Sequence, residues 1–105
     1  MVLPADSVEL IRRWAARTDS VREVWLFGSR ANGTSRPDSD VDIGIYLMPP
    51  TEKSDWALAA YTAEGDAWQR DLERLLGLRV SLEAVRDGGR GHKEVQAGIR
   101  LWARV

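Results

Sequence analysis

Residues 26–47 read LFGSRANGTSRPDSDVDIGIYL, and this stretch decides the fold. An apolar run ends at Phe27 in the pair Gly28–Ser29. After a spacer of ten residues, Asp40 and Asp42 open a second apolar run through Val41, Ile43, Ile45 and Leu47. Aspartate is among the poorest strand formers. Successive side chains on a strand point to opposite faces, so Asp40 and Asp42 share one face while Val41, Ile43, Ile45 and Leu47 share the other. The spacing predicts a strand with one buried apolar side and two carboxylates roughly 7 Å apart on its other side. Gly44 falls on the carboxylate face, where it predicts open space beside them.

Such a pair is costly unless a cation neutralises it. Magnesium suits it, taking oxygen ligands at about 2.1 Å and keeping waters while it binds substrate phosphates. Two ions about 3.5–4 Å apart, bridged by one aspartate and flanked by the other, fit equally. Gly28 allows close backbone approach to a ligand. A helical turn entered at Ser29 would point its first N–H groups outward as anion donors, beside the Ser29 hydroxyl. A triphosphate lying between these donors and metal-loaded Asp40 and Asp42 would be polarised at the phosphorus nearest the metal. Neither half is specific alone, since a lone D-x-D is more often a loop or cap feature. The combination at this spacing points to a nucleotide site.

Composition narrows the partners. The 105 residues carry 15 basic and 16 acidic side chains, a net charge of −1, and 44% are hydrophobic. This fits one domain over 1–105 and gives no field that would draw the chain onto nucleic acid or an anionic membrane. The absence of cysteine excludes disulfides, zinc–thiolate sites and thiol chemistry. The N-terminal MVLPADSVELIRRW lacks a leader's apolar core, and no run approaches 18 apolar residues. A soluble cytoplasmic protein is expected. Lys53 and Lys93 are its lysines, the other basic residues being arginine. Arg30 and Arg36 are candidates for phosphate contact, weighed against salt bridges within the loop.

Along the chain the order reads αβ(α)βαβα. A helix is expected from Asp6 to about Thr18, with Asp6 and Glu9 as a capping box. Strand Val21–Phe27, a helical turn from Ser29 to Gly33 and strand Val41–Leu47 follow. A helix then starts at Ser54 or Asp55 and ends at Leu76. Its apolar stripe is Trp56, Ala60, Ala63, Ala67, Trp68, Leu72 and Leu75, with Gly77 as C-cap. Leu78–Val85 reads as a strand, "DGGRG" (87–91) as a flexible loop, and Glu94–Ala103 as a closing helix. The alternation implies an α/β domain with helices against one small sheet. The single histidine, His92, is expected to be solvated. The helix over 55–76 carries more apolar surface than one side of a three-stranded sheet covers, which implies a helical partner or a second copy.

Gly28–Ser29 followed by Asp40-x-Asp42 resembles the signature of the DNA polymerase beta-like nucleotidyltransferase superfamily. More narrowly, GSRANGTSRPDSDVDIGI (28–45) is similar to the minimal nucleotidyltransferases (MNT) of bacteria and archaea. EVQAGIRLW (94–102) resembles that group's final helix through Val95, Gly98, Leu101 and Trp102. The resemblance implies a mixed sheet, Mg2+ and ATP, and a HEPN-domain toxin as partner. In such modules the nucleotidyltransferase is the antitoxin and transfers AMP to a tyrosine of the HEPN ribonuclease. It implies that Asp40 and Asp42 bind metal and catalyse, and that Gly28 and Ser29 hold the nucleotide, with Arg30 the candidate beside them.

One departure stands out. The family carries a third acidic residue in an apolar-D-apolar-apolar strand, and the matching stretch here is Val80-Ser81-Leu82-Glu83. Ser81 takes the carboxylate's position, and Glu83 lies two residues on, on the same face. Glu83 then reaches the site as a catalytic residue, or two carboxylates suffice, or the chain neutralises its partner by binding alone. A small-molecule nucleotidyltransferase is a further reading, although that kind usually carries an additional acceptor-binding domain.

Overall fold

Val21–Phe27 (β1) and Val41–Leu47 (β2) pair antiparallel in a register that sets Phe27 opposite Asp42. The computed structural model describes residues 2–105. Val80–Val85 (β3) runs parallel to β2, and Ile99–Ala103 (β4) runs antiparallel to β1. The result is a mixed four-stranded sheet in the order β3-β2-β1-β4. Its helices are Ser7–Ala16 (α1), the single turn Ser29–Asn32 (α2), Trp56–Leu76 (α3) and His92–Gln96 (α4).

The α/β class holds, and the last element corrects the expected order. The closing segment is a short helix and then a strand, not one helix over Glu94–Ala103. Gly98 is pressed so closely on the Leu26 carbonyl that a Cβ there would overlap the oxygen. That approach delivers the chain alongside β1, where Ile99 faces Leu26 and Arg100 faces Trp25. Ladder hydrogen bonds and the burial of Leu101 then outweigh further helical turns. The quartet Val95, Gly98, Leu101 and Trp102 fits helical spacing and equally a turn followed by alternation.

α1 and α3 cover one face of the sheet. Ile11 and Trp14 from α1, and Trp68 and Leu72 from α3, pack on Val24, Leu26, Val41, Ile43, Ile45 and Leu101. Each such side chain contributes roughly 1.5–3 kcal/mol on burial. Trp14 and Trp68 meet edge to face at 6.3 Å. The other face carries a smaller cluster of Tyr46, Val85 and Val95, flanked by Trp25 and Phe27. As edge strand, β3 would leave N–H groups free. Two of them donate to α3 side chains, Val80 N to Glu73 Oε2 at 3.0 Å and Leu82 N to Gln69 Oε1 at 3.2 Å.

Helix ends follow the sequence in part. In α3, Asp55 accepts from Leu58 N–H at 3.4 Å, and Gly77 takes the left-handed cap at φ 68. In α1 the capping box does not form, because Asp6 itself is left-handed at φ 67 and makes no side-chain cap bond. The stripe of α3 is also rotated. Ala57, Trp68, Leu72 and Leu76 are buried, while Trp56, Ala63 and Ala67 are exposed. Among the described residues no helix is long and apolar enough to cross a membrane.

Candidate active site

The register of β1 on β2 brings the two halves of the motif together. Because Phe27 pairs with Asp42, the chain leaving β1 turns at Gly28 directly against the Asp42 carboxylate. A Cβ at Gly28 would overlap Asp42 Oδ2. Its backbone, at φ 73 and ψ −156, is essentially closed to residues with a side chain. Space and backbone both require glycine. Ala31 and Asn32 donate their N–H groups to the Gly28 carbonyl at 3.1 and 3.2 Å, closing α2 with Ser29 at its opening.

Asp40 is exposed and Asp42 is half-buried. Desolvation, followed by the negative charges of Asp40 and then Glu83, raises the Asp42 carboxyl above its ordinary value. Arg79 Nε comes within 3.9 Å of Asp40 Oδ1, an exposed pair that offers little neutralisation. The donors are therefore under-neutralised carboxylate oxygens, which fit a hard divalent cation that keeps waters and takes phosphate oxygens. No group of three His, Cys, Asp or Glu side chains able to hold a metal gathers among the described residues. Asp40 and Asp42 are the carboxylates that the start of β2 presents beside the Gly28 turn.

The β2–β3 register places Ser81 directly beside Asp42 and Glu83 beside Gly44. Glu83 thus starts roughly 7 Å further along the face. Its charge still bears on Asp42.

Three expectations are corrected. The space beside Gly44 is filled: a Cβ there would lie 2.8 and 3.0 Å from the Val95 methyls, so α4 covers this part of the face. Arg30 is 3% exposed, and its guanidinium is committed to backbone carbonyls. Nε donates to Ser39 O at 2.9 Å, Nη1 to Val2 O at 3.1 Å, and Nη2 to Pro37 O at 3.1 Å and Ser39 O at 2.8 Å. It is no phosphate ligand; it fixes the loop that delivers Asp40. His92 is half-buried rather than free in solvent, and its Nδ1 lies 2.8 Å from the Tyr46 hydroxyl. Arg36 is exposed, and its backbone N–H donates to Ser39 Oγ at 2.8 Å.

Tyr46 is the residue that sequence reasoning passed over. Period-two spacing from Asp42 through Gly44 puts it on the carboxylate face, a signal available from the sequence. A separate cavity of about 390 Å³ lies at the opposite end of β2, between Leu47, Leu58, Tyr61 and Val85, away from the carboxylates.

The sequence profile of the nucleotidyltransferase domain matches residues 8–94, and the chain belongs to that family. Curated protein sequences give no significant match. A crystal structure of a toxin–antitoxin with AMP-PNP superposes with a TM-score of 0.67 at 20% identity, over 92% of this chain and 73% of the other. The complex of tri-AMPylated Shewanella oneidensis HEPN toxin with MNT antitoxin gives 0.60 at 17% identity, over 93% and 71%. A protein proposed to be a minimal nucleotidyltransferase gives 0.58 at 28% identity, over 90% and 87%. The first two likenesses establish the shared fold.

Proposed function

We propose that this chain is a magnesium-dependent minimal nucleotidyltransferase that transfers AMP from ATP to a hydroxyl of a protein acceptor, a HEPN-domain toxin that it neutralises. The observation that carries this reading is the Gly28–Ser29 turn locked against Asp42, with Asp40 beside it. In the transfer, the acceptor oxygen bonds to the α-phosphorus, the bond from that phosphorus to the bridging oxygen breaks, and pyrophosphate leaves. Gly28 admits the triphosphate, and Ser29 with the α2 turn orients it. Asp40 and Asp42 would hold Mg2+, which supplies charge stabilisation at the reacting phosphate. Glu83 is the further carboxylate on this face available to take the acceptor's proton. The toxin partner is supported by the likeness to toxin–antitoxin structures, one with AMP-PNP and one holding a tri-AMPylated HEPN toxin. The exposed Trp56 on α3 offers apolar surface to such a partner.

One observation favours a second reading, neutralisation by binding alone: Ser81 occupies the strand position beside Asp42. A hydroxyl is a weak ligand and no base at neutral pH. The two readings separate in an AMP-transfer assay with labelled ATP, with and without a HEPN-domain protein as acceptor. Slow wild-type transfer is expected, with Ser81→Asp raising it at least tenfold, about 1.4 kcal/mol off the barrier. Glu83→Gln should abolish transfer if Glu83 is the base. Asp42→Asn should remove both transfer and magnesium-dependent ATP binding. Unchanged Mg-ATP affinity in Asp42→Asn, read by calorimetry, would overturn the site. Tight Mg-ATP binding with no transfer in any variant would select the silent reading.

A further inference from the structure

Tyr46 is 1% exposed, yet its hydroxyl has two polar neighbours on α4: His92 Nδ1 at 2.8 Å and Gln96 Nε2 at 2.9 Å. The Tyr46 and His92 rings meet edge-on, 5.9 Å apart and inclined by 85°. A carboxamide nitrogen can only donate, so the hydroxyl accepts from Gln96 and must place its own proton elsewhere. A buried O–H without an acceptor is costly. His92 Nδ1 is the acceptor in reach. The bonding therefore selects the neutral imidazole, with its proton on Nε2.

The helix held this way lies across the carboxylate face. Val95, between His92 and Gln96, fills the notch at Gly44, two residues along from Asp42. Gly91, the N-cap at φ 81, faces Glu83 Oε2, while at the far end Gly98 is pinned on the Leu26 carbonyl. α4 is thus fixed at its C-terminal end. Its N-terminal end hangs on a loop containing Gly88 and Gly91, both at positive φ. The His92–Tyr46 hydrogen bond secures the free end, and Gln96 adds a second bond at the pinned one.

We propose that His92 is a positioning residue, a latch that with Tyr46 and Gln96 holds α4 over the carboxylate face at Gly44, and that proton uptake by His92 releases it. Protonation makes Nδ1 a donor and, while Gln96 donates as well, strands the Tyr46 proton. The latch is therefore intact where the imidazole is neutral and is lost where it carries a second proton. The charged groups around the latch are Glu83 on β3, beside Gly91, with Asp42 and Asp40 further along β2. Arg22 on β1 has its guanidinium carbon 5.5 Å from the Tyr46 ring centroid and is itself paired with Asp87 at 3.4 Å. Arg90, Lys93 and Glu94 flank His92 along the chain.

The latch itself stands apart from the proposed transfer; its effect on nucleotide rests on that reading. Hydrogen exchange on the full chain tests it, following Val95 N–H, bonded to Gly91 O at 3.0 Å, and Ala97 N–H, bonded to Lys93 O at 3.0 Å. After correction for intrinsic exchange rates, wild-type protection at these amides should fall at least tenfold between pH 7.5 and 5.5, while α1 amides stay constant. Tyr46→Phe should show low protection at both pH values. His92→Asn, whose Oδ1 accepts a hydrogen bond and does not titrate, should keep protection at both. A wild-type α4 indifferent to pH, or a pH step that survives in His92→Asn, would overturn the latch. Mg-ATP titration over the same interval should show wild-type affinity falling at least threefold more than that of His92→Asn, which carries only the loss from proton competition at the ATP phosphates and at the carboxylates. The exchange step without that difference in affinity would overturn the role of α4 as cover of the carboxylate face. The exchange step in a protein that binds no nucleotide at any pH would leave the latch standing and defeat the transferase reading instead.

Discussion

Under α1 and α3 the sheet buries Val24, Leu26, Val41, Ile43 and Ile45 completely, whereas its opposite face is covered chiefly by Val95 set into Gly44 and by hydrogen bonds to Tyr46. The first face is held by area, the second by a few directional contacts. The division has a physical reason. A continuous apolar cover over Asp40 and Asp42 would strip both carboxylates of water, at a cost no neighbouring cation offsets. Stability is therefore concentrated on one side, and the other stays thin enough for charged groups to remain hydrated.

Substitutions on the two faces should differ in size and kind. The largest effect is expected from Leu72→Ala, which leaves a void under α3 and should lower the unfolding free energy by about 2–5 kcal/mol. Urea denaturation with an unchanged slope reads it directly. A loss below about 1 kcal/mol would show that the main core does not carry the fold.

Gly44→Ala comes next. Its new Cβ would press on Val95 Cγ2 at 2.8 Å, and roughly 1–3 kcal/mol of overpacking follows. Pairing it with Val95→Ala should recover most of that loss. Non-recovery in the double variant would mean that the notch does not seat α4.

The smallest effect is expected from Asp42→Asn in metal-free buffer, and it should be stabilising. Relief of like charges is worth roughly 0.2–1 kcal/mol. The Asp42 carboxyl is raised in the folded state, so the fold binds its proton more tightly than the unfolded chain does. Its contribution is present at acid pH and is lost as pH rises through the raised value. The wild type should therefore lose stability on that rise relative to Asp42→Asn, and the two pH profiles should converge below the ordinary carboxylate range. Parallel profiles throughout would contradict the raised carboxyl.

Much of the carboxylate side was legible in advance. Period-two alternation over 40–47 placed Asp40 and Asp42 on one face, and the Gly28–Ser29 pair after a strand marked the turn beside them. Asp55 and Gly77 marked the bounds of α3, because their capping chemistry is local. Arg30 was misread for the opposite reason. Beside a Gly–Ser turn an arginine looks like a phosphate ligand, but the loop over 33–39 folds back and offers it the carbonyls of Pro37 and Ser39.

Local chemistry along the chain thus determined the strand that carries the carboxylates, the glycine before Ser29 and most element bounds. Register and packing decided the rest. Setting Phe27 opposite Asp42 makes the two motif halves one site, and setting Ser81 beside Asp42 leaves Glu83 a row away. The contact of Gly98 with Leu26 turned the closing segment into a strand, and Tyr46 gave the half-buried His92 a partner. Each of these depends on a partner distant in sequence, and spacing along one segment does not encode which partner arrives.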